Sequence, residues 1–244
     1  MLRNVFKSAC RRTVMNGRAY KPRIDAVTTS FATLNDVDEM HEFLLRDYLH
    51  NTSLNAAINL TREEAAPRYR ATVEHCVPFG TSTVLRNSEN SIIGICLTFL
   101  LHRGQGDDSQ SPTTVQTIQD LGKVLNKNKW ELIPADVSTV VYADIGSVDE
   151  RYRGHGLLEK QFHLIYEEAQ KAGATAFMAE GTSFASQRVF AKQGFTVLRE
   201  VQHQDILGAD GKPVFECPDG TRSAQLVFRR LEPRRTDMLY SNEL

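Results

Sequence analysis

The strongest constraint on the fold is a stretch that reads as a strand, a glycine turn and a helix in immediate succession. Residues 137–148 are rich in β-branched side chains, which favours a strand. The segment after the turn carries apolar residues at helical spacing and stops at Gly173. The spacing predicts one strand face with Val137, Thr139, Val141, Ala143 and Ile145, and a helix stripe with Leu158, Phe162, Ile165, Ala169 and Ala172.

The turn between them has the composition of an anion-binding helix start. Its sequence over residues 151–157, R-Y-R-G-H-G-L, puts Gly154 and Gly156 just ahead of the first helical turn. Free backbone N–H groups and the helix dipole attract phosphate there, and glycine lets the main chain approach it closely. Arg151 and Arg153 can add charge-assisted contacts. A glycine pair at a helix start also fits a simple tight turn, so both interpretations stay open at this point.

Two common phosphate-binding motifs do not fit this turn. A P-loop requires G-x-x-x-x-G-K followed by Ser or Thr, which is absent here. A dinucleotide-binding loop requires a third glycine, but Leu157 and Leu158 follow Gly156. The pattern that remains is R-x-x-G-x-G.

Two segments of the chain resemble the signatures of the GNAT superfamily of acyl-CoA-dependent N-acetyltransferases. Residues 147–158 are similar to its pyrophosphate-binding motif, and residues 186–195 to its second signature, a helix that ends in Gly-Phe. The resemblance covers residues 24–231 and is firmest over 137–200. It implies an α/β fold, namely a single GNAT-type domain whose sheet is mixed and mostly antiparallel, with a splayed central strand pair and flanking helices.

The resemblance also implies that acetyl-CoA is the co-substrate. The strand that ends at residues 145–148 would splay from its neighbour near residues 179–181, with the pantetheine and the acetyl group in the gap. Backbone amides from Arg153 to Leu157 would hold the pyrophosphate, and no metal is expected. The cofactor-binding positions carried over in this way are Ser147, Val148, Arg153, Gly154, His155, Gly156 and Leu157.

Within the superfamily, the layout is most similar to the invertebrate arylalkylamine (dopamine-type) N-acetyltransferases. Those enzymes carry their catalytic-base glutamate in an Asp-Glu-Pro-Leu segment, which residues 51–54 replace here. Thr52 stands at the base position and holds no negative charge. The family's two serines fall on Thr182 and Ser186, so the resemblance implies Ser186, Thr182 and Thr52 as catalytic positions. A hydroxyl residue at such a helix start is equally typical of an N-cap.

A proton acceptor is required for the expected chemistry. An alkylamine with a pKa of about 10 is mostly protonated near neutral pH, and only its neutral form attacks a thioester. Besides Thr52, the candidates are Asp144 and Glu180 near the predicted strand gap, and His50. Two interpretations of function follow: direct acetyl transfer from acetyl-CoA to a primary amine, in particular a small arylalkylamine, or a CoA-binding protein or sensor that has lost catalysis.

Composition narrows the class of partner. The 244-residue chain has a net charge of −1, which argues against a protein that holds nucleic acid by bulk electrostatics. Its four cysteines are too scattered for a zinc site, and no apolar run reaches the roughly 18 residues of a membrane span. Composition thus argues against nucleic acid and a membrane as partners, and the resemblance implies a small-molecule amine. The pattern does not indicate an oligomeric state.

The first 23 residues differ from the rest of the chain. They carry seven Lys and Arg residues and no acidic residue, interleaved with apolar side chains. This composition is typical of a mitochondrial presequence, and equally of a disordered basic leader. We expect a leader at 1–23, a domain at 24–231 and a tail at 232–244, in a protein located in the cytoplasm or in mitochondria.

Overall fold

A seven-stranded mixed sheet forms the centre of the molecule. The computed structural model describes residues 24–105, 116–208 and 210–232. The strand order is β1-β2-β3-β4-β5-β7-β6, and only the β4–β5 pairing is parallel among the described strands. The strands are β1 Thr28–Phe31, β2 Thr83–Arg86, β3 Ile92–His102, β4 Thr139–Val148, β5 Ala176–Gly181, β6 Thr196–Gln202 and β7 Ser223–Arg230. The predicted α/β class with a mostly antiparallel sheet is confirmed.

Helices cover both faces of this sheet. One face carries α1 Val37–Phe43, α2 Leu49–Asn51, α3 Ser53–Ala57, α4 Arg62–Cys76 and α5 Gln116–Asn126; the other carries α6 Leu157–Lys171 and α7 Phe184–Lys192. A π-helical turn, Leu44–Tyr48, joins α1 to α2. Each face has its own hydrophobic core, so burial of apolar area fixes the sheet between the two layers.

Strands β4 and β5 separate before either of them ends. Their paired residues run from Val140 opposite Ala176 to Ala143 opposite Ala179 and stop there. Strand β4 then continues to Val148 beside β3, while β5 continues to Gly181 beside β7. The predicted splayed strand pair is therefore present, with a gap between residues 144–148 and 180–181.

The predicted strand face is wrong at Val137, which lies before β4, and at Ile145; both pack in the core opposite to that of Val141 and Ala143. A bulge shifts the register between β3 and β4, because Leu97 pairs with Ile145 whereas Thr98 pairs with Ala143, which leaves Asp144 as the extra residue. Ala143 packs in the core under α6, but Ile145 packs in the core on the opposite face. Strict alternation along residues 137–148 cannot predict this change of side.

The two boundaries of the predicted domain lie at the limits of the described residues. The leader and most of the tail fall outside them, so the division into 1–23, 24–231 and 232–244 stays a prediction. Within the described ranges, no helix combines the length and apolar character needed to cross a bilayer.

Candidate active site

The glycine turn adopts the geometry of an open helix start. Gly154 and Gly156 have φ values of +80° and +69°, and Gly156 stands directly before the 15-residue helix α6. A Cβ atom added at Gly154 would meet no atom within 4 Å, so its φ angle, not a lack of space, is what favours glycine there. Residues 153–156 are exposed and the following Leu157 is buried. The turn can therefore present the unsatisfied N–H groups of α6 to an anion.

The two arginines of the turn contact the protein in different ways. Arg151 is bidentate to Asp149, with Nε–Oδ1 at 3.0 Å and Nη2–Oδ2 at 2.7 Å. Arg153 donates from Nε to the Val148 carbonyl at 2.7 Å, and its side chain stays 43% exposed. The Arg151 side chain is the more exposed, at 63%, but one carboxylate already binds it at two atoms, so Arg153 keeps more of its donors for a phosphate.

A buried carboxylate ties this turn to the helical layer. Asp47 lies in the π-helical turn, is 6% exposed, and accepts hydrogen bonds from Asn51 Nδ2 at 3.0 Å and Ser147 Oγ at 3.3 Å. Its Oδ2 atom is also 3.6 Å from Arg153 Nη2. Burial raises the pKa of Asp47, and the nearby Arg153 charge lowers it in part.

Two of the predicted CoA-binding residues have mainly internal roles. Ser147 is buried and its hydroxyl is used by Asp47, so only its backbone remains for a ligand. Val148 packs with Leu157 and Tyr152 in a small core beneath the turn. His155 is exposed, which is consistent with a solvated member of the loop. Sequence reasoning missed Asp47, although a lone acidic residue in an apolar helical stripe was a usable signal.

Two carboxylates lie at the strand gap, on the side of α1 to α5. Glu180 follows the last β4–β5 pair, and its Oε1 accepts hydrogen bonds from Tyr142 Oη and from Asn126 Nδ2, both at 2.7 Å. Asp144 is the bulge residue, and Arg68 of α4 is close enough to lower its pKa. Burial nevertheless raises the pKa of both carboxyl groups.

The three hydroxyl residues expected to be catalytic occupy the ends of neighbouring elements. Thr52, between α2 and α3, donates its hydroxyl to the Tyr48 carbonyl at 2.8 Å. Ser186 lies in the first turn of α7, where it shares a capping box with Ser183, and half-buried Thr182 directly precedes that cap. His50, the candidate base two residues before Thr52, is exposed.

Asp219 links the start of α3, next to Thr52, to the start of α7, which carries Ser186. It accepts hydrogen bonds from the Phe184 backbone N–H at 3.3 Å and from the Ser53 side chain. One carboxylate thus binds both Ser53, which follows Thr52, and Phe184, which follows Ser183. The structure brings Thr52 towards the start of α7, whereas no sequence pattern singled out Asp219.

Comparison with known proteins identifies the fold. No protein-family model and no curated protein sequence matches the chain. Among solved structures, arylalkylamine N-acetyltransferase 2 from Aedes aegypti has a TM-score of 0.70 at 22% identity, covering 84% of this chain and 99% of that one. The mosquito arylalkylamine N-acetyltransferase-like protein 5b has a TM-score of 0.71 at 20% identity, covering 84% of this chain and 100% of that one.

A third similar structure is that of an enzyme that acts on a different amine. The polyamine N-acetyltransferase of Drosophila melanogaster, which catalyses the formation of N-acetylagmatine, has a TM-score of 0.68 at 17% identity, with 84% of this chain and 100% of that chain covered. Solved structures similar to this chain are thus insect arylalkylamine N-acetyltransferases and other GNAT acetyltransferases. The chain has the GNAT fold, and the predicted resemblance is confirmed at that level.

Proposed function

We propose that this protein is an N-acetyltransferase that moves the acetyl group of acetyl-CoA to a primary amine by direct attack. The observation that carries the proposal is the end of β4–β5 pairing at Ala143 and Ala179, beside an open glycine turn at the start of α6. The gap and the turn together offer a path for a thioester whose far end is a pyrophosphate. Similar structures with 84% of this chain covered are acetyltransferases of small amines, which supports the same class of reaction.

The residues around the turn suit the CoA pyrophosphate. Backbone N–H groups from Arg153 to Leu157, together with the Arg153 guanidinium, would hold its negative charge. Beyond Ala143, the β4 backbone lacks its β5 partner, so N–H and C=O groups on that side are available to the pantetheine amides. One such N–H group can polarise the thioester carbonyl and stabilise the oxyanion that forms on it.

Direct attack agrees with the state of the cysteines in the described ranges. Burial raises the pKa of Cys96 to about 12, and burial with the charge of Asp219 raises that of Cys217 to about 11. The pKa of buried Cys76 is raised as well. These thiols are poor candidates for a covalent acetyl-enzyme, because the thiolate is the nucleophilic form. We assign to Ser186 the donation of a proton to the departing CoA thiolate, and Thr182 and Thr52 stay the two other proposed catalytic positions.

A CoA titration tests the first half of this proposal. Wild-type protein should bind CoA with micromolar-range affinity, and Gly156→Asp should abolish binding, because a carboxylate would stand where the phosphates must lie. Gly173→Asp is the matched control, since Gly173 has φ +87° at the other end of α6 and a Cβ there meets no atom within 4 Å. Equal calorimetric affinities for wild type and Gly156→Asp would show that the phosphate site is elsewhere.

Turnover separates the enzyme from a non-catalytic CoA-binding protein. Acetyl-CoA should be consumed with at least one amine from a panel of phenethylamine, tyramine, agmatine, spermidine and free amino acids. The alternative function predicts CoA binding with no product for any of them. We favour turnover because the strand gap holds two carboxylates able to accept the proton of an amine.

A further inference from the structure

We infer that Glu180 accepts the proton of the acceptor amine, and that this acceptor is an alkylamine that arrives as its ammonium cation. The inference rests on the proposed acetyl transfer and names the base and the substrate class for it. Thr52, at the base position of the resembling enzymes, is neutral and donates its hydroxyl to the Tyr48 carbonyl. The proton therefore needs another acceptor.

Glu180 lies on β5 at the point where the gap between β4 and β5 opens. It is the residue after Ala179, where pairing with β4 stops, so its side chain stands at the opening itself. Along β5, Ala176 and Met178 pack in the core on the side of α1 to α5, and strand alternation puts Glu180 on that same side. The glycine turn leads into α6 on the opposite side of the sheet. An amine approaching past Glu180 would thus meet the thioester from the side opposite to CoA.

Two donors fix the position of the Glu180 carboxylate. Tyr142 of β4 and Asn126 of α5 both donate to Oε1 at 2.7 Å, which leaves Oε2 as the oxygen to face a ligand. Burial and the negative charge of Glu180 raise the pKa of Tyr142 well above its usual value, so its phenol remains a donor. Asn126 is held in turn because Arg199 of β6 donates to the Val124, Leu125 and Lys127 carbonyls at the end of α5.

The charges that face the gap favour a cation. Two acidic groups, Asp144 of β4 and Glu180 of β5, face this gap, together with one basic group, Arg68 of α4. The Arg68 Nε atom is buried without a hydrogen-bond partner among the described residues, and the Arg68 charge lowers the pKa of both carboxyl groups in part. When both carboxyl groups are ionised, an ammonium group completes the charge balance of the gap, which a neutral acceptor does not.

The reaction then proceeds with a defined route for each proton. The Glu180 carboxylate removes one proton from the ammonium, and the lone pair of the resulting amine forms a C–N bond to the acetyl carbonyl carbon. The C–S bond breaks as the oxyanion collapses, and its electron pair stays on sulfur. Ser186 gives its hydroxyl proton to the thiolate, which becomes the CoA thiol, and regains the second proton that the nitrogen loses. Glu180 later releases its own proton to solvent. Burial raises the pKa of Glu180 towards the range in which a carboxylate is an effective base.

The decisive variant is Glu180→Gln, which keeps both hydrogen bonds to Oε1 but cannot accept a proton. With the best amine of the panel named above, kcat should fall about 100- to 10,000-fold, while the calorimetric Kd for CoA should change less than about twofold. Glu200→Gln is the matched control. Glu200 is a carboxylate on β6, a strand that β7 separates from β5, and it accepts from Ser223 and Gln225. Its variant should keep kcat within about twofold.

The pH profile distinguishes a base from a residue that only supports the fold. Wild-type kcat/KM should rise on the acidic side as Glu180 ionises. The Glu180→Gln variant depends on amine that is already neutral, so its kcat/KM should rise about tenfold per pH unit up to the amine pKa. The other titrating groups that face Glu180 are Asp144, Tyr142 and Tyr48; burial raises the pKa of both phenols, which leaves Asp144 as the competitor on the acidic side.

Asp144→Asn decides between the two carboxylates. The inference is overturned if this variant loses the acidic limb and Glu180→Gln retains it, or if Glu180→Gln has wild-type kcat. Should Glu180→Gln fail to fold by circular dichroism, Glu180→Asp must keep the acidic limb at reduced kcat; its absence overturns the inference too. A wild-type protein that binds CoA but acetylates no amine of the panel overturns the proposed function itself, a result that no Glu180 variant can mimic.

Discussion

Replacing Ser186 with alanine separates a catalytic hydroxyl from a helix cap. In the first turn of α7, Ser186 Oγ donates to the Ser183 carbonyl at 2.9 Å and accepts from the Ser183 backbone N–H at 3.1 Å. The Ser183 hydroxyl accepts from the Ser186 backbone N–H at 3.1 Å, a bond that alanine at 186 preserves. Because the hydroxyl hydrogen rotates about its C–O bond, Ser186 can also turn towards a thiolate.

The stability cost of this change follows from the bonds that it removes. Three hydrogen bonds of a half-buried hydroxyl are lost, including one with the Ser183 hydroxyl at 3.0 Å. Water can replace part of each, so Ser186→Ala should destabilise the protein by about 0.5–1 kcal/mol. For a domain of roughly 200 residues this corresponds to a melting temperature lower by about 1–4 °C. Ser183→Ala removes the N-cap hydroxyl itself and should cost about 1 kcal/mol or more.

Ser186→Ala should therefore cause the larger loss of rate, and Ser183→Ala the larger loss of stability. If Ser186 protonates the CoA thiolate, Ser186→Ala lowers kcat about 10- to 1,000-fold with little change in CoA affinity. Ser183→Ala should be the less stable variant and yet keep kcat within a few-fold. Melting temperature, calorimetric Kd and kcat measured on one preparation of each variant test this. A Ser186→Ala protein with a lower melting temperature and an unchanged kcat would refute the catalytic assignment and leave Ser186 as a cap.

Two further predictions concern the link between the helical layer and the strand end. Because burial raises the pKa of Asp47, the folded state binds its proton more readily than the unfolded chain does, so its favourable contribution is present below the unfolded pKa of about 3.9 and is lost as pH rises through the folded pKa. Urea denaturation should show wild type losing stability relative to Asp47→Asn between pH 4 and pH 7, and a pH-independent difference would contradict the assignment. Gly94→Ala should destabilise by about 1–3 kcal/mol, because its Cβ would lie 2.7 Å from buried Leu85 Cδ1 and 3.1 Å from the Ser147 carbonyl. Gly122→Ala in α5, where a Cβ meets no atom within 4 Å, should instead stabilise by about 0.5–1 kcal/mol, and two equal effects would show that local packing does not decide the outcome.

Local signals explain which parts of the fold the sequence could reveal. The strand, glycine turn and helix from 139 to 171 are continuous in the chain, and each has its own periodicity or cap. Apolar spacing also located Phe162, Ile165 and Ala169, which all pack in the core beneath α6. The strand gap followed from the family resemblance, since no composition or spacing shows where pairing between two strands ends.

The contacts around Glu180 could not be predicted, because they join residues far apart in sequence. Asn126 and Tyr142 lie 54 and 38 residues before it, and the Arg199 side chain that holds the end of α5 comes from β6. Sequence reasoning placed Glu180 near the gap and left its role open. Only the fold shows that α5 ends beside β5 and that two donors converge on one carboxylate oxygen.

The bulge at Asp144 gives the two ends of the gap their different chemistry. If β4 paired regularly with β3, with Asp144 opposite Leu97, alternation from Ala143 would turn Ile145 and Ser147 towards α6. The shift instead turns Ile145 into the opposite core and brings the Ser147 hydroxyl to Asp47, while Gly146 faces α6, where an added Cβ would lie 3.4 Å from Leu158. The α6 side of the strand end therefore presents mostly backbone, which suits the extended amide chain of pantetheine. The α1-to-α5 side presents the carboxylates Asp144 and Glu180, which suit a cationic amine. Under the proposed acetyl transfer, the bulge in β4 thus gives the two sides of one gap the different chemistry that two different substrates require.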